Sequence, residues 1–195
     1  TPLVMAGISW GGKLALITAG GHPELVDALA LICPGLQPRV GVSPVERLRI
    51  ALAFVFNPRK TFPIPLSDPE LFTASPEGQA FIAADRLGLH AGTAGLLAVS
   101  SFIDLRVRLS RKRVRQPILL MLAGRDRIVD NAKTLVTVQS LASKDRTVID
   151  YPEAHHTLEF EPDPSRYARD LLDWIGRKTA NRPTAERVAS GGEPH

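Results

Sequence analysis

The chain has 195 residues, 44% hydrophobic and 23% charged, with a formal net charge of +4 and a sequence pI of about 9.6. That length fits one domain, or one domain with an insertion, and the balance excludes a disordered, collagen-like or coiled-coil chain. A lone cysteine, Cys33, excludes an internal disulfide framework, and no apolar run reaches the roughly 18 residues of a membrane span.

In chain order, Leu3–Gly7 is a short apolar run ended by glycine, the pattern of a strand buried in a parallel sheet. The chain enters it directly from Thr1, without the basic region of a signal peptide. This start is expected to be a truncation. Lys13–Ala19 is apolar at helical spacing and is closed by Gly20-Gly21. Val26–Ile32 is a second buried strand, closed by Pro34-Gly35.

The stretch 36–115 differs. It carries six of the seven phenylalanines and no period-2 segment, and it reads as a helical insertion. Ser43-Pro44 opens a helix over Val45–Phe56, Ser75-Pro76-Glu77 opens another to about Asp85, and Thr93–Arg108 is a third. Pro117–Ala123 is a third strand, Asn131–Leu141 a helix, Arg146–Tyr151 a fourth strand and Pro164–Arg177 an amphipathic helix. Residues 179–195 are polar and are expected to be a disordered tail. Strands alternating with helices predict an α/β fold: a parallel core over 1–35 and 116–178, with 36–115 as a cap.

Gly7-Ile8-Ser9-Trp10-Gly11 lies between a predicted strand and a predicted helix. Such a Gly-x-Ser-x-Gly is a nucleophile elbow: a tight turn projects the serine hydroxyl from the sheet edge. Small residues on either side avoid a Cβ clash with neighbouring elements. The helix N-terminus offers the Trp10 N–H to a developing oxyanion. In this fold order the acid comes next and the histidine last. Asp126 follows the third strand; Asp130 directly precedes a helix and reads as its N-cap. His22 lies in a helix-ending turn, His90 in the insertion and His195 in the tail, whereas His155 and His156 follow the last strand. By position alone either of these two can be the base.

Three stretches resemble α/β-hydrolases of the monoacylglycerol lipase and lysophospholipase type: Gly7–Gly12, Gly124–Asp130 and Glu153–Leu158. The resemblance implies a Ser9–His156–Asp126 triad, because His156-Thr157-Leu158 matches the family's histidine followed by a small or β-branched residue and a leucine. Trp10 departs from the methionine usual there. The resemblance also implies that these four strands form the later half of a larger sheet. The second oxyanion donor would then belong to a loop preceding the elbow, and this chain would lack it. No cofactor and no metal are implied.

In the cap, Phe54 and Phe81 are candidates for an acyl-binding wall, although most of the apolar residues there are expected to pack the cap's own core. Arg106, Arg108, Arg111, Lys112, Arg113 and Arg115 cluster at a helix end. They read as a solvated C-terminus or as contact with an anionic membrane surface. Nucleic acid is excluded as a partner, since no stacking aromatics interleave with these charges. The expected activity is hydrolysis of amphiphilic carboxylic esters. The alternatives are a peptidase or thioesterase on the same triad, or a non-catalytic binding protein on the same fold. The expected location is the cytoplasm, at the membrane surface if the basic cluster meets lipid; an upstream targeting segment stays open.

Overall fold

The computed structural model describes residues 2–180. In chain order these form β1 (Val4–Ile8), α1 (Trp10–Gly21), β2 (Ala28–Ile32), α2 (Pro44–Phe56), β3 (Thr61–Pro63), α3 (Pro76–Ala84), β4 (Ala91–Thr93), α4 (Ala94–Ser110), β5 (Ile118–Ala123), α5 (Asn131–Gln139), β6 (Arg146–Tyr151) and α6 (Pro164–Ala180). Residues 179 and 180, expected in a tail, continue α6; the rest of that expectation lies outside the described residues.

The four predicted strands make one parallel sheet in the order β1-β2-β5-β6. Pairing of Val4 with Ala28, Leu29 with Ile118 and Ile118 with Arg146 sets the register. The central strands β2 and β5 are buried throughout, which is why they read as unbroken apolar runs. β1 and β6 are the outer strands; Ala6 and Ile8 of β1 are exposed.

Strand alternation divides the core into two layers. On one face Leu29, Leu31, Ile118, Leu120 and Leu122 pack with Leu16 of α1 and Val138 of α5. Val107 of α4 and Val114 just beyond it join this layer, so the end of the insertion is anchored in the main core. On the other face Ala28, Ala30, Ile32, Leu119 and Met121 meet Trp174 of α6. The Trp174 indole is fully buried, and its Nε1–H donates to Thr147 Oγ1 at 3.2 Å.

The insertion holds the three predicted helices. Ser43, Ser75 and Thr93 cap them by accepting the N–H of Glu46, Gly78 and Leu96. It is not wholly helical, however. β3 and β4 form an antiparallel pair, with Phe62 opposite Gly92. Three-residue strands of Thr-Phe-Pro and Ala-Gly-Thr are too short to show period-2 alternation. Phe62 is buried there with Ile50, Ala53 and Ala94 in a small core of the insertion itself.

Candidate active site

The ends of β1, β5 and β6 bring three side chains together at one sheet edge, as a parallel sheet requires of loops that follow its strands. Ser9 sits between β1 and α1 with φ 48° and ψ −120°, a strained conformation for a non-glycine residue. Its N–H donates to Ile32 O, and its carbonyl accepts from Gly12 and Gly35. A Cβ on Gly7 would lie 2.6 Å from Gly11 O, and one on Gly12 would lie 2.6 Å from Pro34 Cβ. At Gly11 nothing lies within 4 Å of such a carbon. The expectation that both glycines of the elbow avoid a clash is therefore corrected. Gly7 and Gly12 are sterically required, and Gly11 faces open space.

The Ser9 hydroxyl lies 2.9 Å from His156 Nε2, and His156 Nδ1 lies 2.7 Å from Asp126 Oδ2. Asp126 Oδ1 accepts two further hydrogen bonds, from the N–H groups of Ile128 and Val129, each at 2.8 Å. His156 is 3% exposed and Asp126 4%. This geometry orients the imidazole with Nδ1–H toward the carboxylate and leaves Nε2 to accept from Ser9. The loops carrying Asp126 and His156 are laced together by Gly124 N–H to Tyr151 O, Arg125 N–H to Ala154 O and an Arg125–Glu153 ion pair.

Of the rival residues, Asp130 caps α5. It accepts the Lys133 N–H and pairs with the Lys133 ammonium, which together hold its carboxyl below the ordinary range. His155 Nδ1 lies 3.1 Å from Glu161 Oε1, which also accepts the His155 N–H. Glu161 thus clamps the loop that carries His156. No spacing in the sequence singles it out.

The Trp10 indole reaches across to α4, its Nε1–H donating to Ser100 Oγ at 3.0 Å. Lys13, buried in α1, pairs with Asp104 at 2.6 Å, and Gly20 abuts Ser110. These contacts run in the same order along α1 and α4, so the two helices lie side by side and parallel. Phe54 on α2 is about half exposed, and Phe81 on α3 lays its ring against Phe160 at 5.7 Å between centroids. Phe72 is one of the six phenylalanines of residues 36–115, and nothing in the sequence distinguished it from the others. Its ring stands edge-on to His156, with centroids 6.1 Å apart and planes at 72°. Burial raises the Cys33 thiol well above its ordinary value.

A family model described as "Serine aminopeptidase, S33" matches residues 1–163. The monoacylglycerol lipase of Mycolicibacterium smegmatis is 25% identical over 177 residues, spanning 89% of this chain and 62% of that protein. The monoglyceride lipase of Homo sapiens is also 25% identical, over 94% of this chain and 61% of its own length. The chain therefore spans about three fifths of the curated relatives it matches. Two crystal structures superpose closely at 18% identity each. The monoacylglycerol lipase of Paleococcus ferrophilus has TM-score 0.83, covering 91% of this chain and 69% of that one. A soluble variant of the monoglyceride lipase of Saccharomyces cerevisiae, bound to a substrate analog, has TM-score 0.76, covering 91% and 62%. With the parallel sheet, the flanking helices and the strand-end loops described above, these likenesses establish the α/β-hydrolase fold, and the chain belongs to the serine aminopeptidase S33 family.

Proposed function

We propose that this chain carries the nucleophile, base and acid of a serine hydrolase that cleaves carboxylic esters of amphiphilic lipids, of monoacylglycerol or lysophospholipid type. The observation that carries the reading is the unbroken hydrogen-bond line from Ser9 through His156 to Asp126. His156 Nε2 takes the hydroxyl proton as Ser9 Oγ attacks the ester carbonyl. The Trp10 N–H at the start of α1 donates to the resulting oxyanion; one such donor is worth ~10²–10³ in turnover. Asp126 stabilises the imidazolium, which then protonates the leaving alcohol. Water, deprotonated by His156, attacks the acyl-serine ester, and the acid departs as Ser9 regains its proton. The names of the curated relatives favour the lipid ester over other acyl substrates.

Residues 36–115 act in this reading as a cap over the acyl site, with Phe54 and Phe81 on its apolar wall. The cations of 106–115 meet anionic headgroups, each adding ~1 kcal/mol near the surface. Among the described residues no helix is long and apolar enough to cross a membrane.

The family's description favours a second reading, cleavage of an aminoacyl amide. Hydrolysis of a monoacylglycerol and of an aminoacyl nitroanilide, each with the wild type and Ser9→Ala, decides between them. Serine-dependent release of fatty acid alone supports the lipid ester; serine-dependent release of nitroaniline alone overturns it.

A further inference from the structure

The contacts around Phe72 form a device that the triad alone does not explain. A single 3-10 turn, Pro69–Leu71, is capped by Asp68, whose side chain accepts the Glu70 N–H at 3.0 Å. Phe72 follows it. The Phe72 carbonyl accepts the N–H of Thr157, the residue after His156, at 2.9 Å, and the Phe72 ring stands against the His156 ring. Arg127, the residue after Asp126, donates to the Glu70 carbonyl at 3.3 Å and lies 3.6 Å from the Glu70 carboxylate. One turn of the insertion therefore grips the residues that follow both the acid and the base.

The turn is itself braced. Thr73 is buried, its carbonyl accepts the Gln79 side-chain amide, and its hydroxyl accepts the Ser75 N–H. In the first turn of α3, Gly78 comes so close to Phe160 and Thr73 that a Cβ would lie 2.9 Å from each. Phe160 belongs to the 3-10 turn just after the histidine loop. The loop carrying His156 is thus held between the Phe72 turn on one side and its own Phe160 packed under α3.

We propose that Phe72 is a positioning residue for His156, and that the turn 68–73 aligns the base of the triad rather than lining the acyl pocket. The inference rests on the triad reading above. Both ring nitrogens of His156 are engaged by hydrogen bonds, which leaves tilt of the imidazole as its free motion. The Phe72 ring, packed T-shaped against the imidazole, opposes that tilt. Misplacement of a reacting group by about 1 Å can cost ~10²-fold in rate.

The test uses Phe72→Leu, which keeps apolar bulk without a ring; Phe72→Tyr, which keeps the ring; and Arg127→Met, which cuts the latch from a half-exposed position. Three quantities are read: kcat and KM for a butyrate ester and a long-chain monoacylglycerol, the melting temperature, and the solvent-exchange rate of the low-field proton NMR signal of His156 Nδ1–H. Phe72→Leu is expected to lower kcat on the order of tenfold or more on both esters, with KM within about twofold, and to speed proton exchange. Phe72→Tyr should restore both, and Arg127→Met should shift both in the same direction by less. An unchanged kcat and exchange rate in Phe72→Leu overturns the proposal. So does a rise in KM confined to the long-chain ester, which would make Phe72 a pocket wall. If the wild type hydrolyses neither ester, the triad reading fails, and the exchange rate alone then judges the positioning.

Discussion

Replacing Asp126 by Asn changes one atom and tests the arrangement of the whole site. Asp126 Oδ1 accepts the Ile128 and Val129 N–H groups, and Oδ2 accepts from His156 Nδ1, and all four residues are buried. An asparagine has one acceptor oxygen. If it keeps that oxygen on the two backbone N–H groups, its NH₂ faces His156 Nδ1. The imidazole must then accept at Nδ1 and carry its proton on Nε2, the tautomer that cannot take a proton from Ser9. If the amide flips, two buried N–H groups lose their acceptor and confront an NH₂, at about 1–3 kcal/mol each. The first orientation wins by several kcal/mol. Asp126→Asn should therefore fold with a nearly unchanged melting temperature and lose on the order of 10⁴ in kcat. Ester hydrolysis followed with a chromogenic butyrate, beside thermal unfolding, reads both. A variant within about tenfold of wild type would refute the tautomer argument. A collapsed melting temperature would make the loss one of folding.

Gly12→Ala should destabilise by about 1–3 kcal/mol, because the Pro34 ring cannot yield, whereas Gly11→Ala should leave the melting temperature unchanged or slightly raised; equal losses would contradict the contact geometry. The raised Cys33 thiol should resist aromatic disulfide reagents until the protein unfolds; rapid labelling of the native state would mean that the β2 end is open. Asp130, held below its ordinary value of 3.8, stabilises above that value, and the contribution is lost as pH falls through the lower, folded value. The stability difference between wild type and Asp130→Asn should accordingly be largest near neutrality and vanish in strong acid; a constant difference across that range would show that charge plays no part.

The centre of the sheet was legible because β2 and β5 bury both faces. Ala28–Ile32 and Ile118–Ala123 are apolar at every position because helices cover them on both sides. The convergence of Ser9, Asp126 and His156 was legible because each lies in a loop after a predicted strand, and parallel strands carry such loops to one edge. The choice of His156 over His155 came from resemblance, not from position; the structure gives His155 to Glu161. The β3–β4 pair stayed hidden because three residues carry no period. Phe72 and Glu161 stayed hidden for another reason. Nothing local in Leu71-Phe72-Thr73 points to a buried histidine 84 positions on, and a single loop contact between Glu161 and His155 leaves no periodic pattern. The requirement at Gly12, likewise, is set by Pro34 on another loop.

The most direct measurement of the central claim is covalent labelling by a fluorophosphonate, with the adduct located by peptide mass spectrometry. The account predicts stoichiometric phosphonylation of the native protein at Ser9, abolished in Ser9→Ala and reduced by orders of magnitude in His156→Ala. An adduct on another serine, no adduct where a known serine esterase is fully labelled, or an undiminished rate in His156→Ala would contradict it.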